Sequence, residues 1–310
     1  MEPIITFIIP VYDGRRYLRE AIESVVTQTA TNWRLILIDD CSKDDSREII
    51  GQYADSRITA VYNVANRGLY GSLAEATGQV RTEWISILMQ DDRLKPYFLA
   101  EVCQIIKCHQ SIHALWATED VIDQTGSLVV KGRNTLRLEY IEPSVSAWIG
   151  ALRRGCVWTI SGSVTRRDFL ESIPFRTDLP HCGDYEWLLR GIRSRPFLYY
   201  ERALLEIRQH AGQASATNLR LGVDIEERYV ILSDQMSRYA DDVPRRIGVE
   251  VCVMQAMMVT RRALGSALRS RLRIAQKEVR YAVCFLWLAI SYKSKGTRKL
   301  TVPNQTSGLL

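Results

Sequence analysis

Two pairs of adjacent carboxylates each follow an apolar run of residues. Trp84–Asp92 reads WISILMQDD and ends at Asp91 and Asp92, and Arg34–Asp40 reads RLILIDD and ends in the same way. Such runs are typical of strands buried on both faces of a parallel sheet, whose carboxyl ends bind ligands. Carboxylate oxygens at that edge suit Mg²⁺ or Mn²⁺ shared with substrate phosphates. The alternative is that one carboxylate of each pair only caps the next helix.

The elements that must position these carboxylates alternate along the first third of the chain. Strands that alternate with helices predict βαβ units, and therefore an α/β fold with a mostly parallel sheet flanked by helices. Ser42 with Asp45 has the pattern of a capping box for the second helix. The predicted strands are Ile4–Pro10, Arg34–Asp40, Arg57–Tyr62 and Trp84–Asp92, and the helices between them are Arg15–Thr29, a segment ending at Tyr53, and Leu69–Thr77.

The remainder of the chain has a looser pattern, followed by long helical periodicity. We predict a helix from Pro96 to His109, strands at Ala114–Ala117, Val121–Val130 and Cys156–Thr165, helices at Ser144–Leu152, Arg166–Ser172 and up to Arg193, and closing strands at Phe197–Tyr200 and Ala203–Gln209. Lys131–Arg154 is expected to be rich in loops. The predicted domain is 1–215, with halves 1–110 and 111–215, followed by a helical region 216–300 and a disordered tail 301–310.

Composition excludes several classes of protein. The 310 residues are 46% hydrophobic and 25% charged, with a formal charge of +6. Seven cysteines without CxxC spacing indicate reduced thiols in the cytoplasm. The short apolar start does not resemble a signal peptide, and no apolar run has the length of about 18 residues that marks a spanning helix. Basic residues without further support do not indicate nucleic-acid binding.

Familiar nucleotide-binding motifs are missing from the sequence. It contains no GxGxxG after the first strand, no GxxxxGK[ST], and no GxGxR loop. A phospho-accepting receiver domain also has an acidic strand end, but it would need a lysine at the end of a fifth strand, and we find none. These exclusions leave a nucleotide held through a bridging metal ion.

Five segments together resemble family 2 glycosyltransferases, which are inverting enzymes with a GT-A fold. In order, they are FIIPVYDGRRYLREAIESVVTQT, ILIDDCSKDDS, NRGLYGSLAEA, WISILMQDD and GDYEWLLR. The resemblance extends from Ile4 to His210. It implies a GT-A nucleotide-sugar domain and leaves the C-terminal helices as an extension.

The resemblance also implies residues for the nucleotide. Pro10 and Tyr12 would line its pocket, with Tyr12 stacked near the base. Asp40 would accept hydrogen bonds from the base or the ribose. Arg67 matches a basic position near the diphosphate in some members, and the alternative is a solvated arginine at a helix start.

A metal site is implied next to the donor sugar. The family's DxD motif is represented by Gln90, Asp91 and Asp92. Asp91 would contact the ribose or the donor sugar, and Asp92 would ligate Mg²⁺ or Mn²⁺. Arg208 and His210 resemble a basic-x-His element that closes over the donor phosphates, where His210 is a second candidate metal ligand; the alternative is a packed histidine.

Asp184 is the candidate catalytic base implied by the family's ED motif. Gly183 replaces the glutamate of that motif. A base here would deprotonate the acceptor hydroxyl in a single inverting displacement. The alternative is that Asp184 caps the helix that runs to Arg193.

The C-terminal helices combine basic clusters with the apolar run Tyr281–Tyr292. This pattern fits a helix that lies on an anionic membrane surface. The alternative is a core helix with a solvated basic face or a dimer interface. The basic residues are Arg261, Arg262, Arg269, Arg271, Arg273, Lys277, Arg280, Lys293, Lys295, Arg298 and Lys299.

The sequence therefore predicts a metal-dependent inverting glycosyltransferase of the cytoplasm, peripheral to the inner face of the cell membrane. It would transfer a sugar from a nucleotide-diphosphate donor to a glycan or lipid-linked acceptor in surface polysaccharide synthesis. The competing interpretation is a catalytically silent GT-A domain that serves as a scaffold in a glycan-assembly complex.

Overall fold

The computed structural model describes residues 2, 4–156, 158–239, 241–269 and 271–294, with side chains up to residue 291. The chain divides into two compact units: residues 1–147 with 156–210, and residues 148–155 with 211–310. The strands are β1 Ile5–Val11, β2 Trp33–Asp39, β3 Ile58–Tyr62, β4 Trp84–Ile87, β5 Arg93–Leu94, β6 Ala114–Ile122, β7 Leu128–Val130, β8 Arg137–Ile141, β9 Ser163–Arg166 and β10 Phe197–Arg208. The helices are α1 Leu18–Val26, α2 Ser46–Gly51, α3 Gly68–Gln79, α4 Phe98–Cys108, α5 Val145–Arg154, α6 Arg167–Ser172, α7 Gly183–Gly191, α8 Ala214–Leu221, α9 Val223–Arg238, α10 Arg245–Leu268 and α11 Leu272–Ser294.

The first unit is built around one mixed sheet. Its strand order is β3-β2-β1-β4-β9-β6-β10-β5, with β7 paired to β6 and β8 paired to β10. The strands β3, β2, β1 and β4 are mutually parallel, as predicted, whereas β9 runs antiparallel to both of its neighbours. The carboxyl ends of the first four strands therefore meet at one edge of the sheet.

Strand β1 lies between β2 and β4 in the parallel part of the sheet, and all seven of its residues are buried. Its register aligns Pro10 with Ile38 of β2 and Ile8 with Ile87 of β4. Apolar residues of α1 and α4, including Leu18 and Phe98, pack against the same core. Burial of this continuous apolar run supplies most of the driving force that fixes the strand ends.

The strand predicted to run from Trp84 to Asp92 is shorter than expected. β4 ends at Ile87, and a turn follows in which the Asp92 N–H bonds to the Met89 carbonyl at 3.1 Å. The predicted capping box is also wrong, because α2 begins at Ser46 and its N-cap residue, Asp45, makes no side-chain capping bond. Ser42 instead accepts the Asp13 N–H.

The predicted and the observed elements differ more in the second half of the sheet. The two predicted closing strands form one strand, β10, whose pairing with β6 is irregular between Tyr200 and Leu205. The segment expected to be loop-rich contains β8, and the strand predicted from Cys156 begins only at Ser163. Exposed or short edge strands lack the continuous apolar pattern by which the central strands were recognised.

The second unit contains α8 to α11 and most of α5. Helix α10 ends at Leu268 and α11 begins at Leu272, and the two helices share a small core of Cys252, Leu288 and Ala289. The predicted boundary after residue 215 falls inside α8. Among the residues that the structure describes, no helix combines the length and the apolar character needed to cross a bilayer. The predicted disordered tail, 301–310, lies outside the described residues.

Candidate active site

An ion pair between Asp39 and Arg47 stabilises the end of β2. The carboxylate of Asp39 is fully buried and accepts a bond from Arg47 Nε at 2.6 Å. The same carboxylate accepts the Ser42 N–H at 3.2 Å. Asp39 therefore fixes the loop between β2 and α2, which is a structural use of the first carboxylate in the pair.

Asp40 connects the end of β2 with the beginning of α3. Its Oδ1 atom accepts the amide of Asn63 at 2.9 Å and the backbone N–H of Arg67 at 2.8 Å. The Arg67 side chain forms an ion pair with Glu75 on the exposed surface of α3. A contact of Asp40 with the base or ribose, and of Arg67 with the diphosphate, therefore stays a prediction.

A glutamine bridges the loops that follow β1 and β4. Gln90 Oε1 accepts the Tyr12 N–H at 2.9 Å, and Gln90 Nε2 donates to the Tyr12 carbonyl at 3.0 Å. A Cβ atom on Gly14 would lie 2.1 Å from Gln90 Oε1, so this close approach requires glycine. The Tyr12 side chain is 45% exposed at the sheet edge, whereas Pro10 is buried inside β1. The two predicted nucleotide contacts thus have different environments.

Asp91 and His210 meet at the same edge. His210 Nε2 lies 3.1 Å from Asp91 Oδ2, although 119 positions separate the residues in the sequence. The imidazole also packs on the ring of Tyr17, with 4.9 Å between ring centroids. Among the described residues, no group of three His, Cys, Asp or Glu side chains converges. The pair supplies one oxygen and one nitrogen ligand, and further ligands would have to come from a substrate or water.

Asp92 points into the protein. Its carboxylate is 3% exposed, and Oδ1 accepts the Arg208 N–H at 2.8 Å. Burial, together with the neighbouring charge of Asp91, raises the pKa of Asp92 to about 8. A role for Asp92 as a metal ligand stays a prediction that this burial does not favour.

Arg208 is buried, and its predicted contact with donor phosphates stays a prediction. It is 1% exposed, and its Nε donates to the Asp91 carbonyl at 3.0 Å. Its terminal nitrogens reach the Asp123 carbonyl at 3.3 Å and the Glu20 carboxylate at 2.7 Å. The guanidinium also lies 4.3 Å from the centroid of the Tyr17 ring. These contacts orient the whole side chain away from solvent and toward the loop that carries Asp91.

Asp184 is the second residue of α7, because the helix begins at Gly183 and its N-cap residue is Cys182. The alternative reading of Asp184 as the N-cap is therefore wrong. Asp184 Oδ1 accepts the Tyr185 N–H at 2.7 Å, and the Asp184 N–H is donated to the Tyr70 hydroxyl at 2.9 Å.

Tyr70 also relates Asp184 to the other carboxylates. It lies in the first turn of α3, the helix whose start is bonded to Asp40 at the end of β2. Because Asp184 contacts this turn, it lies on the side of the sheet where β1, β2 and β4 have their carboxyl ends.

Sequence reasoning missed Asn63 and Tyr70 at this edge, and it named Gln90 within a motif without giving it the role of a bridge. Asn63 follows β3 as Asp40 follows β2, so its position at a strand end was a usable signal. The partner of Gln90, the backbone of Tyr12, lies 78 positions away and has no local signal in the sequence. Nothing in the sequence marks Tyr70, since its role depends on α7, which comes more than 100 residues later.

Residues 6–141 match the Glycosyl transferase family 2 sequence model. A glycosyltransferase of Rickettsia felis is 27% identical over 218 residues, which cover 69% of this chain and 35% of that protein. The putative teichuronic acid biosynthesis glycosyltransferase TuaG of Bacillus subtilis is 33% identical over 96 residues, or 30% of this chain and 38% of TuaG. The chain thus spans only about a third of these two relatives.

The fold is similar to that of S. aureus TarS 1–349, solved in complex with UDP-GlcNAc. The TM-score is 0.58 at 16% sequence identity, and the match covers 94% of this chain and 92% of the TarS chain. This likeness agrees with a GT-A fold, with a central sheet flanked by helices and further helices at the C-terminus. Residues 6–141 of the chain thus carry the sequence pattern of glycosyl transferase family 2.

Proposed function

We propose that the protein is a metal-dependent, inverting glycosyltransferase that uses a nucleotide-diphosphate sugar. The observation that carries the proposal is the Asp91–His210 pair, 3.1 Å apart, at the sheet edge that also holds Asp184. A scaffold protein would have no physical need to keep a carboxylate–imidazole pair at the same sheet edge as a separate, half-buried carboxylate.

The ligands at this edge fit Mg²⁺ or Mn²⁺. Such ions are usually held by one or two protein groups together with substrate phosphates, which matches a pair of protein ligands. We therefore assign the metal to Asp91 and His210 and give Asp92 a supporting role, since its Oδ1 atom accepts the Arg208 N–H. When bound, the metal would neutralise charge on the diphosphate leaving group.

The donor pocket is assigned to the loops that follow β1 and β4. The Gln90 side chain holds the backbone of Tyr12, whose ring is exposed and available to a flat base. TarS was solved with UDP-GlcNAc, so a UDP-sugar is the first donor to examine.

Asp184 is assigned as the general base. The Tyr185 N–H already orients its carboxylate through Oδ1. The acceptor hydroxyl would lose its proton to Asp184 while its oxygen attacks the anomeric carbon. The bond from that carbon to the diphosphate oxygen breaks on the opposite face, so the configuration inverts.

The acceptor class is proposed from the C-terminal helices. One stripe of α11 is exposed and apolar, and it comprises Leu272, Val279, Val283, Leu286, Trp287 and Ile290. We call these six residues the α11 stripe. On α10 the exposed apolar residues are Met254, Met257, Met258, Leu264 and Leu268. Exposed apolar residues that share one side of a helix indicate an interaction surface.

Charge favours an anionic partner for the α11 stripe. Residues 245–294 contain ten Lys and Arg residues but only two Asp and Glu residues. Arg262 and Lys277 are used in ion pairs within the second unit, whereas Arg273 and Arg280 are exposed, and the spacing of seven residues aligns them with Trp287. We propose that this surface rests on the anionic cytoplasmic face of a membrane.

Membrane contact suits a lipid-linked acceptor, and the putative role of TuaG in teichuronic acid synthesis suits a surface polysaccharide. Self-association through the α11 stripe would instead bring arginines of two copies together. The predicted homodimer is for that reason the less favoured use of this surface.

Thermal melting with candidate nucleotides tests the proposal. UDP, GDP, dTDP and CMP are each added with Mn²⁺ or with EDTA. A ligand at about 100 times its dissociation constant stabilises the folded state by about 2.7 kcal/mol, which is visible as a shift in Tm. We expect a shift with one diphosphate that requires Mn²⁺. The absence of any shift would instead favour a silent scaffold.

A further inference from the structure

The first turn of α7 is held by a side chain from α3. Tyr70 Oη accepts the Asp184 N–H at 2.9 Å, across 114 positions of sequence. The first four N–H groups of a helix have no partner inside the helix. Tyr70 therefore supplies a hydrogen-bond acceptor that the sequence of α7 itself does not provide, at the residue assigned above as the base.

Gly183 makes this contact sterically possible. A Cβ atom on Gly183 would lie 2.5 Å from Cε2 and 2.7 Å from Cζ of Tyr70, much closer than packed carbon atoms approach. The Tyr70 ring thus occupies the space next to the Gly183 backbone, where any other residue would direct its side chain. Glycine at this position and tyrosine at position 70 are complementary.

The ring has little freedom to leave this position. Tyr70 is 4% exposed, and its ring packs on Phe175 with 5.2 Å between centroids. Burial, and then the neighbouring charge of Asp184, hold the pKa of Tyr70 well above its usual range. The side chain is therefore a neutral hydroxyl at physiological pH.

The backbone and the carboxylate of Asp184 are fixed by the same turn. Tyr70 holds the Asp184 N–H, and the next N–H along the chain, that of Tyr185, holds Asp184 Oδ1. If the first bond were lost, the turn could rotate or fray, and the carboxylate would move with it. Catalytic efficiency is sensitive to displacements of this kind, because misplacement by 1 Å can lower a rate by about 100-fold.

We propose that Tyr70 is a positioning residue for Asp184, and that it does so by filling the space that Gly183 leaves next to the start of α7. This inference rests on the proposed role of Asp184 as the base. Tyr70 does not exchange a proton with the substrate, so its contribution is to the geometry of the carboxylate.

The test is the substitution Tyr70→Phe, which removes the hydroxyl and keeps the ring. Turnover is measured as nucleoside diphosphate released from the sugar nucleotide, with water as acceptor. We expect kcat to fall about 10- to 100-fold, with the KM for the donor and the metal-dependent melting shift unchanged. Tyr53→Phe is the matched control, since that hydroxyl bonds to the exposed Glu23.

A second measurement does not depend on turnover. Hydrogen exchange at the amide of Asp184 should become faster in Tyr70→Phe, whereas exchange in β1 should not change. Gly183→Ala, whose methyl group would displace the ring, should have the same two effects. Unchanged exchange, or unchanged kcat in a folded Tyr70→Phe protein, would overturn the proposal.

Asp184→Asn separates this inference from the proposed function. If Asp184→Asn reduces turnover strongly and Tyr70→Phe does not, the base assignment stands and the positioning role fails. If Asp184→Asn has no effect, the base assignment itself fails. In the double variant we expect no further loss beyond that of Asp184→Asn, because an orienting group has no effect once its base is absent.

Discussion

The carboxamide of Gln90 forms two hydrogen bonds with the backbone of Tyr12, one as acceptor at 2.9 Å and one as donor at 3.0 Å. The residues lie 78 positions apart and belong to the loops after β4 and β1. Only a side chain with an acceptor and a donor on the same planar group can make both bonds. The backbone that carries the exposed Tyr12 ring is therefore held by the residue beside Asp91.

Gln90→Glu tests the importance of this bridge. The carboxylate keeps an acceptor for the Tyr12 N–H but lacks the donor, and it would repel the Tyr12 carbonyl. We expect nucleotide affinity to fall about tenfold, equivalent to about 1.4 kcal/mol, as measured by calorimetry. Gln110→Glu makes the same exchange at an exposed position and should leave affinity unchanged. Equal affinity in both variants would show that the bridge does not support the pocket.

The metal assignment distinguishes Asp91 from Asp92. We expect Asp91→Asn and His210→Ala each to abolish most of the Mn²⁺-dependent melting shift with the nucleotide. The double variant should lose little more than either single variant, since two ligands of one ion do not act independently. Asp92→Asn should keep most of the shift, because an amide oxygen can still accept the Arg208 N–H. The reverse order of effects would return the metal to Asp92.

If Asp184 is the general base, its replacement should slow the chemical step and leave donor binding unchanged. Asp184→Asn retains an oxygen that can accept the Tyr185 N–H, so the turn should stay folded. A general base contributes about 10²–10⁴-fold, and kcat should fall within that range. The affinity for the donor, measured by the melting shift, is expected to equal that of the unsubstituted protein. Turnover at the original rate would remove Asp184 from this role.

We expect the substitution Arg208→Ala to lower the stability of the folded protein. Replacement by Ala removes the donor to the half-buried carbonyl of Asp91 and leaves a cavity next to Tyr17, whereas the Asp123 carbonyl keeps the Gly126 N–H as a donor. An unsatisfied buried group costs about 1–3 kcal/mol, so the free energy of unfolding should fall by about this amount. Denaturant melts measure this directly, with Arg195→Ala as the exposed control. A small effect would mean that water replaces the guanidinium.

The α11 stripe predicts membrane binding. Val283→Asp with Ile290→Asp places charges on exposed positions of α11, and Arg280→Glu reverses a neighbouring exposed charge. Each change should reduce cosedimentation with vesicles that contain anionic lipid, without altering the melting temperature. The control is Val64→Asp, at a fully exposed position of the first unit. Binding to neutral vesicles alone, or a change in oligomeric state alone, would contradict an anionic-membrane role.

Where the sequence carries continuous apolar runs, prediction succeeded. The first three strands were located to within a residue or so at their ends. For β1 and β2 the reason is that burial on both faces leaves a continuous apolar pattern, whereas β3 is a more exposed edge strand. The GT-A fold and the family followed from motif order. By contrast, β8 is largely exposed, and its position is fixed by pairing with β10, a relationship that has no local signal in the sequence.

The candidate site was also predicted only in part, because contacts between distant segments have no local signal in the sequence. Asp91 and Asp184 were identified from motifs, but their roles depend on neighbours from distant segments. The direction of the Asp92 side chain is set by the backbone of Arg208, and the orientation of Asp184 involves Tyr70. Sequence spacing indicates that a carboxylate is near a strand end but not which way it points.

Strand β10 brings together distant parts of the chain at the sheet edge where Asp91 and His210 lie. The contact of Arg208 with Glu20 spans 188 positions, and β5, which directly follows Asp92, is hydrogen-bonded to β10. Contacts of such long sequence separation form slowly, since loop closure has to precede them. During synthesis the edge can therefore be completed only after β10 has left the ribosome. An excised fragment of residues 6–141, although it carries the family pattern, would have Asp91 without His210 and could not assemble the proposed metal site.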